Sequence, residues 1–320
     1  KPLDLYILTH EHLDHAQGLL YGAEKLGIEL RANYAWLTAS AAEDYYERYP
    51  EAKKQRDLYF AIQGLLQASP ELRTPWIDAL LLNNNPTEID PCVAHLRQIA
   101  PPRRTSYVYR GCNVRGRHPF REARFEIWAP EEDTSEYCGR FKPLGFVRAT
   151  ATGEELSGSP PQPVPPPGVD TGAFYNLVEI RQSSYVDNLL AIDYAANNSS
   201  IVFCLEWHGC RLPCPVAAEQ RSWKTMDKYG QLKPVHFFKV SHHGSANGVP
   251  PRELLDAILP VPAPDRRPRH AVVSTYPQTY QHVPDRELLR HSLEPRCELY
   301  YVDKGLVGDG EWLDVEFLPE

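Results

Sequence analysis

The chain of 320 residues, with 42% hydrophobic and 24% charged side chains, has the balance of a globular protein with one large α/β domain or two smaller ones. No apolar run approaches the roughly 18 residues that cross a bilayer, so we expect no membrane. The net charge of −8 argues against a general polyanion-binding surface but allows a local basic groove. The seven scattered cysteines indicate reduced thiols and a cytoplasmic protein.

The first predicted element is an apolar strand at residues 3–8. A strand of this kind is normally central in a sheet, so we expect an upstream segment or a separate protein chain to complete the sheet beside it. Residues 16–26 have the spacing of a helix that stops at Gly27. A helical pattern over 39–82 predicts an inserted cap, and we assign 39–118 as a mainly helical insertion; a plain surface helical hairpin is the alternative.

The second half of the chain alternates short strand patterns with helical ones, which favours an α/β fold. Strands are predicted at 125–130, 200–207, 235–240, 270–275, 298–302 and 312–317, and helices at 219–228, 252–259 and 286–293. Proline is unusually frequent, with 30 residues. Residues 149–170 are so rich in proline that we expect a flexible loop there, with a recognition role as the alternative to a simple solvent-exposed insertion.

Three histidines and a carboxylate follow the first strand within six residues, at His10, His12, Asp14 and His15. In the turn after a strand, His10 and His12 can converge on one cation while Asp14 and His15 face a neighbouring one. Neutral imidazole and carboxylate suit Zn²⁺, Mn²⁺ or Fe. The segment therefore predicts a metal site.

The His-x-His-x-Asp-His order after a strand resembles the signature of the metallo-β-lactamase fold superfamily. Residues 237–245 (FFKVSHHGS) resemble the His-His-Gly-Ser element of the branch typified by the hydrolase domain of the DNA-uptake protein ComEC. Residues 197–206 resemble that branch's Asn-x-x-Ser strand, and 274–276 with 282–284 resemble its final strand and loop. The likeness covers nearly the whole chain in the expected order, apart from the two insertions.

The resemblance implies a single domain over 1–320, a four-layer αββα sandwich that here lacks its N-terminal strands, with a metal centre at one edge of the two sheets. In such enzymes a metal-bound hydroxide attacks a phosphodiester, thioester or amide. The ligands that the resemblance implies are His10 and His12 for the first ion and Asp14, His15 and His243 for the second. His242 is the alternative to His243, and Asp14 is the carboxylate expected to be catalytic.

The sequence departs from the family where an aspartate normally bridges the two metals, because Ala217 occupies that position. Glu219 is a candidate substitute ligand, although it also suits the start of a helix, and Cys214 is either a weaker substitute or a buried thiol. Without a bridging carboxylate two close cations repel each other with less compensation. We therefore expect one Zn or Mn ion, two weakly bound ions, or none.

Other polar residues have a functional and a structural interpretation. His282 lines the pocket and binds substrate, or it lies at a helix entry. The additional histidine that many relatives supply to the first metal has no match in a motif, and His95 and His118 are the residues in range. His208 and Cys210 suit a hairpin turn better than a metal. An arginine-rich stretch either grips phosphate or is a solvated surface strand; its residues are Arg103, Arg104, Arg110, Arg115, Arg117 and Arg121, with Tyr107 and Tyr109 among them.

These patterns predict a metal-dependent hydrolase, nuclease- or phosphodiesterase-like, that acts on the phosphodiesters of a nucleic acid or nucleotide. The alternative is a degenerate member of the fold that serves as a binding or regulatory subunit with little catalysis. Ala217 favours the alternative, and the intact histidine cluster favours the hydrolase.

Overall fold

The protein is mixed α/β in the computed structural model, which describes residues 1–138, 171–265, 267–275, 283–302 and 314–317. The helices are α1 (Leu13–Leu26), α2 (Tyr45–Arg48), α3 (Pro50–Ala68), α4 (Pro75–Asn83), α5 (Pro86–Leu96), α6 (Thr171–Asn198), α7 (Gln220–Lys228), α8 (Arg252–Ile258) and α9 (Arg286–Leu293). The strands are β1 (Tyr6–Leu8), β2 (Ala35–Thr38), β3 (Thr105–Val108), β4 (Arg124–Ala129), β5 (Val202–Trp207), β6 (Cys210–Cys214), β7 (Phe237–Lys239), β8 (His270–Val273) and β9 (Glu298–Tyr301).

The strands form three small sheets of three strands each. Strands β1, β2 and β3 are parallel in that order, with Tyr6 opposite Ala35 and Ala35 opposite Thr105. Strands β4, β5 and β6 form an antiparallel meander, and β7, β8 and β9 are again parallel. The second and third sheets adjoin, because the His236 N–H next to β7 donates to the Arg211 carbonyl on β6 at 2.9 Å.

The parallel sheet β1–β3 is buried on both faces. Alternate side chains of β2 point to opposite sides of the sheet, and all of them are buried. Ala35 and Leu37 pack into a cluster with residues of α1 and α5. Trp36 points the other way, and its ring lies 5.1 Å from that of Phe125 on β4 and 6.3 Å from that of Phe203 on β5. Since successive side chains of a strand point to opposite faces, one face of this sheet contacts helices and the other contacts β4 and β5.

The other face of strands β4 and β5 packs into the largest core cluster among the described residues. Trp128 and Val202 join Trp223 of α7, Leu255 of α8 and Leu289 of α9 there. The predicted helices at 219–228, 252–259 and 286–293 are confirmed by α7, α8 and α9, and their apolar stripes face this cluster.

A helical assembly lies beside the sheets. Helices α2 to α5 fall between β2 and β3, inside the segment predicted as a mainly helical insertion, but 39–118 also contributes β3 to the sheet. Helices α3, α4 and α6 share a core of their own, in which Tyr59, Leu81 and Leu189 are buried. Helix α6 has no counterpart in the sequence analysis: Asn197 and Asn198, which we expected to lead a strand, are its last residues.

The remaining expectations concern the C-terminal strand, the Pro-rich segment, the edge of the first sheet and the membrane. Residues 314–317 are not a strand, contrary to the predicted strand over 312–317, and the Pro-rich segment 149–170 lies outside the described residues. Within the described ranges β1 pairs on one side only, with β2. No helix in that part of the chain is both long and apolar enough to cross a membrane.

Candidate metal centre

The histidine cluster is formed where β1 passes into α1. Strand β1 ends at Leu8, and His12 is the residue that precedes the first turn of α1. His10 and His12 are buried, whereas the side chains of Asp14 and His15 are partly exposed. The position of Asp14 in the first helical turn also suits the positive end of the helix dipole.

His10 and His12 face each other through one nitrogen each, with 3.2 Å between His10 Nε2 and His12 Nδ1. Zn–N bonds of about 2.0–2.1 Å at a tetrahedral angle place two ligand nitrogens about 3.3–3.4 Å apart. The observed spacing is therefore close to that of two ligands on one ion. It also suits a hydrogen bond between the two rings, in which one nitrogen donates.

The outward nitrogens of both rings have oxygen neighbours. His10 Nδ1 lies 3.2 Å from Thr9 Oγ1, and His12 Nε2 lies 3.1 Å from Asn84 Oδ1. A proton on each outward nitrogen leaves the lone pair of a neutral ring on the inward nitrogen, which is the arrangement that metal-binding histidines use. The donor chemistry of this pair therefore fits a divalent cation.

His242 and His243 approach the cluster from the turn after β7. Both have left-handed backbone conformations, with φ of 47° and 54°, and so does Val216 at 48°. The His242 N–H donates to the Val216 carbonyl at 2.8 Å, which ties the two strained turns together. A β-branched residue at positive φ is a true outlier, and backbone strain of this kind concentrates at functional sites.

The rings of these two histidines are oriented through Nδ1. His243 Nδ1 donates to the Ser274 carbonyl at 2.6 Å, so the lone pair of the neutral ring is on Nε2. His242 Nδ1 lies 3.1 Å from Glu219 Oε1. An imidazole held at one nitrogen by a carbonyl or carboxylate, with the other nitrogen as the lone-pair site, is the usual state of a metal ligand.

The histidines lie close enough to influence one another's protonation, and the ring of His10 is 4.8 Å from that of His12 and 4.2 Å from that of His15. Burial holds the pKa of His10 well below its ordinary value, and the nearby rings of His12, His15, His242 and His243 lower it further. Burial likewise lowers the pKa of His15 and of His243. Low pKa values keep these rings neutral near pH 7, which is the form that binds a metal.

Asp193 and Asn84 are site residues that the sequence analysis missed. Asp193 Oδ1 lies 3.4 Å from His12 Nε2, and Asn84 Nδ2 donates to the same carboxylate oxygen at 2.9 Å. They come from α6 and the end of α4, far from His12 in sequence. Together they fix the His12 ring from behind, as a carboxylate commonly does for a zinc-binding histidine.

Glu219 lies at the site, as one of the two sequence interpretations allowed. It is buried directly before α7, and its carboxylate accepts from Asn247 Nδ2 at 2.7 Å and from Asn197 Nδ2 at 3.1 Å. Burial raises its pKa, while the contact with His242 opposes that shift. Asn197 Nδ2 also contacts Asp193 Oδ2 at 3.3 Å, so one amide links the two carboxylates.

The other described residues that were considered as metal ligands from the sequence are not part of the histidine cluster. Ala217 is buried, and burial raises the pKa of the Cys214 thiol to about 11, which makes it a poor ligand. His118 packs against Trp36, His208 lies in the turn between β5 and β6, and Cys210 is the first residue of β6. His95 lies on α5. His282 lies outside the described residues.

A small polar cavity lies on the far side of Asn84. Its volume is about 70 Å³, and Glu11, Ser40, Tyr46 and Arg56 line it with Asn84. Burial raises the pKa of Glu11 despite its hydrogen bond with Ser40. Since one water needs roughly 10–15 Å³ of such volume, the cavity has room for a few water molecules.

The cluster does not form a complete ligand set in its observed rotamers. Among the residues that the structure describes, no group of three or more histidine, cysteine, aspartate or glutamate side chains converges on one point as metal ligands. His10 and His12 supply two nitrogens at ligand spacing. The side chains of Asp14 and His15 are partly exposed and lie next to this pair in the sequence.

Comparisons with protein-family models, with curated proteins and with solved structures gave no match for this chain. The functional conclusion therefore depends on the residues and their geometry. All seven cysteines fall within the described residues and are free thiols, most of them buried.

Proposed function

We propose that the protein is a metal-dependent hydrolase that cleaves phosphodiester bonds of a nucleic acid or nucleotide. The observation that carries the proposal is the 3.2 Å spacing of His10 Nε2 and His12 Nδ1, with three more histidines beside them. The lowered pKa values of His10, His15 and His243 leave these rings neutral near pH 7, so that their lone pairs can bind a divalent metal.

The residues that would hold one or two Zn or Mn ions are His10, His12, Asp14, His15 and His243. When bound, the ion lowers the pKa of water and polarises a phosphoryl oxygen. The chain itself supplies orientation: Asn84 and Asp193 hold His12, and the Ser274 carbonyl holds His243. His242 Nδ1 lies 3.1 Å from Glu219 Oε1, and its Nε2 would be the nitrogen to bind the second ion or to accept a proton from substrate or water.

Within the same proposal the architecture is a four-layer αββα sandwich of the metallo-β-lactamase type. Support comes from the packing of the strands. One face of β2 contacts helices α1 and α5, and its other face meets β4 and β5 through Trp36. The second face of β4 and β5 contacts helices α7 to α9. The free cysteines support a reducing, cytoplasmic location. A partner strand beside β1 stays a prediction.

A second candidate function is a non-catalytic subunit that keeps the fold and binds a metal weakly. The observation that favours it is Ala217, which leaves the expected bridging position without a carboxylate. Asp193 and Glu219 weigh against it, because each lies behind a histidine ring, where a carboxylate commonly orients a metal ligand.

The experiment that tests the proposal is metal analysis combined with turnover of bis-p-nitrophenyl phosphate. We expect one or two Zn or Mn ions per chain and turnover that a chelator removes and added metal restores. A protein that remains folded by circular dichroism, retains no metal after dialysis with Zn²⁺ or Mn²⁺ and hydrolyses nothing would refute it. Bound metal without turnover would favour the non-catalytic subunit.

Asp193→Asn is expected to weaken zinc affinity by about 10- to 100-fold, which is the usual effect of losing the carboxylate behind a ligating histidine. The measurement is competition with a chelating dye. Asp187→Asn serves as the control, since Asp187 lies exposed on the same helix and does not contact His12. Equal affinities for the two variants would show that Asp193 does not act on the site.

A further inference from the structure

Positive charge is concentrated in one short part of an acidic protein. Residues 103–124 contain seven arginines and one acidic residue, Glu122, a formal charge of +6, whereas the whole chain carries −8. The arginines are Arg103, Arg104, Arg110, Arg115, Arg117, Arg121 and Arg124. This stretch follows the helical segment and runs from β3 to the start of β4.

Four of these arginines make no ion pair with any residue that the structure describes. Arg110 pairs with Glu131 and Arg124 pairs with Glu126. By contrast, Arg103, Arg115, Arg117 and Arg121 are exposed, and none makes an ion pair with any described residue; we call these four the free arginines. Clustered cations without internal partners are suited to phosphate groups, since each contact releases condensed counterions.

A groove runs along the outer edge of β3 within this basic stretch. Its volume is about 560 Å³, and its lining includes Tyr107, Tyr109, Asn113 and Arg117. Ser106, which also belongs to the lining, has a buried Oγ that finds no hydrogen-bond partner among the described residues. Of the free arginines, Arg117 belongs to the lining, and Arg103 and Arg115 lie within two residues of lining residues in the sequence. The groove therefore combines a cationic group with two aromatic rings. Arg48 also lines it but is engaged with Glu132.

The groove and the histidine cluster lie at the same edge of a sheet. Strands β1, β2 and β3 are parallel, His10 follows β1, and Tyr109 follows β3. Ala39, directly after β2, is part of the groove lining. Neighbouring strands are about 4.8 Å apart, so the ends of β1 and β3 are separated by roughly 10 Å. A strand of nucleic acid can span that distance.

We propose that this groove binds single-stranded nucleic acid and leads it to the histidine cluster. The free arginines contact phosphates, and Tyr107 and Tyr109 offer aromatic faces for bases that are not paired in a duplex. This inference rests on the proposed function, because it specifies the substrate class of that site. It makes no use of the metal.

The test is fluorescence anisotropy with labelled single-stranded DNA and RNA of about 12 nucleotides, in a chelator that prevents cleavage. The variant Arg115→Gln/Arg117→Gln/Arg121→Gln is expected to bind at least ten times more weakly at low salt. Its slope of log affinity against log salt should fall by about 2, since each single-strand phosphate contact contributes about 0.7.

The matched control is Lys53→Gln/Arg252→Gln/Arg290→Gln, which removes the same charge from exposed positions outside the stretch. We expect its affinity to stay within twofold of the unmodified protein. Equal weakening by both variants, or equally tight binding of polyglutamate of the same charge, would overturn the inference.

Turnover of bis-p-nitrophenyl phosphate separates this inference from the proposed function. That small ester does not need the groove, so the arginine variant should hydrolyse it normally. Normal hydrolysis with unchanged oligonucleotide binding would refute the groove alone. If the arginine variant binds the oligonucleotide more weakly but the unmodified protein hydrolyses no phosphodiester, the groove is supported and the proposed function is refuted.

Discussion

The variant His10→Ala/His12→Ala is expected to lose zinc binding by more than about 10³-fold. Structural zinc sites with four ligands bind with roughly 10–16 kcal/mol, so two ligands account for several kcal/mol of that affinity. His10 Nε2 and His12 Nδ1 lie 3.2 Å apart, close to the spacing of two ligands on one ion. Hydrolysis of bis-p-nitrophenyl phosphate should fall with the metal content. Zinc binding and hydrolysis are measured on the same sample after dialysis.

His291→Ala provides the control, because His291 is exposed on α9 and remote from β1. Circular dichroism must show that the double variant keeps its helices, since both replaced rings are buried. If the double variant binds zinc as tightly as the control, the metal centre is not where we place it.

Gly244→Ala is expected to lower the free energy of unfolding by about 3 kcal/mol. Gly244 has a φ of 80°, where a side chain costs roughly 1–2 kcal/mol. An added Cβ would also lie 2.8 Å from Leu289 Cδ1 and 3.0 Å from Pro284 Cβ, and overpacking of this kind costs roughly 1–3 kcal/mol. Urea unfolding monitored by tryptophan fluorescence gives the value.

Gly230→Ala separates the two contributions. Gly230 also has a positive φ, of 64°, but no atom lies within 4 Å of the position of its added Cβ. It should therefore lose only the backbone contribution of roughly 1–2 kcal/mol. Equal losses at both positions would show that the core behind His243 tolerates the extra methyl group.

The histidine motif could be predicted from sequence because its members are local. His10, His12, Asp14 and His15 lie within six residues where β1 passes into α1, so their proximity does not depend on the rest of the fold. The strand before them and the helices α7 to α9 were equally accessible, since each has a clear apolar pattern.

Asp193 could not be predicted in the same way, because its role depends on helix α6. That helix packs Leu189 against α3 and α4 and also buries Asn188 and Asn197, so its polar and apolar residues do not fall on separate faces. A helix buried on several sides has weak periodicity. Asn84 was missed for a related reason: only tertiary packing brings the end of α4 to His12.

The position of Glu219 could be predicted in part from the residues next to it in the sequence. Its sequence position allowed either a ligand or a helix start, and it is the residue before α7 with its carboxylate at the site. What sequence could not supply was the set of asparagines around it. Asn197 and Asn247 come from different elements, and their convergence is a property of the fold.

The amide of Asn197 has a consequence for how the chain could change over evolution. Because it joins Asp193 to Glu219 at the end of α6, and α6 shares its core with α3 and α4, the helical segment is built into the site. It is not an exchangeable module. A homologue that shortened or replaced these helices would have to rebuild the support of His12 at the same time, so the two regions should accept sequence changes together.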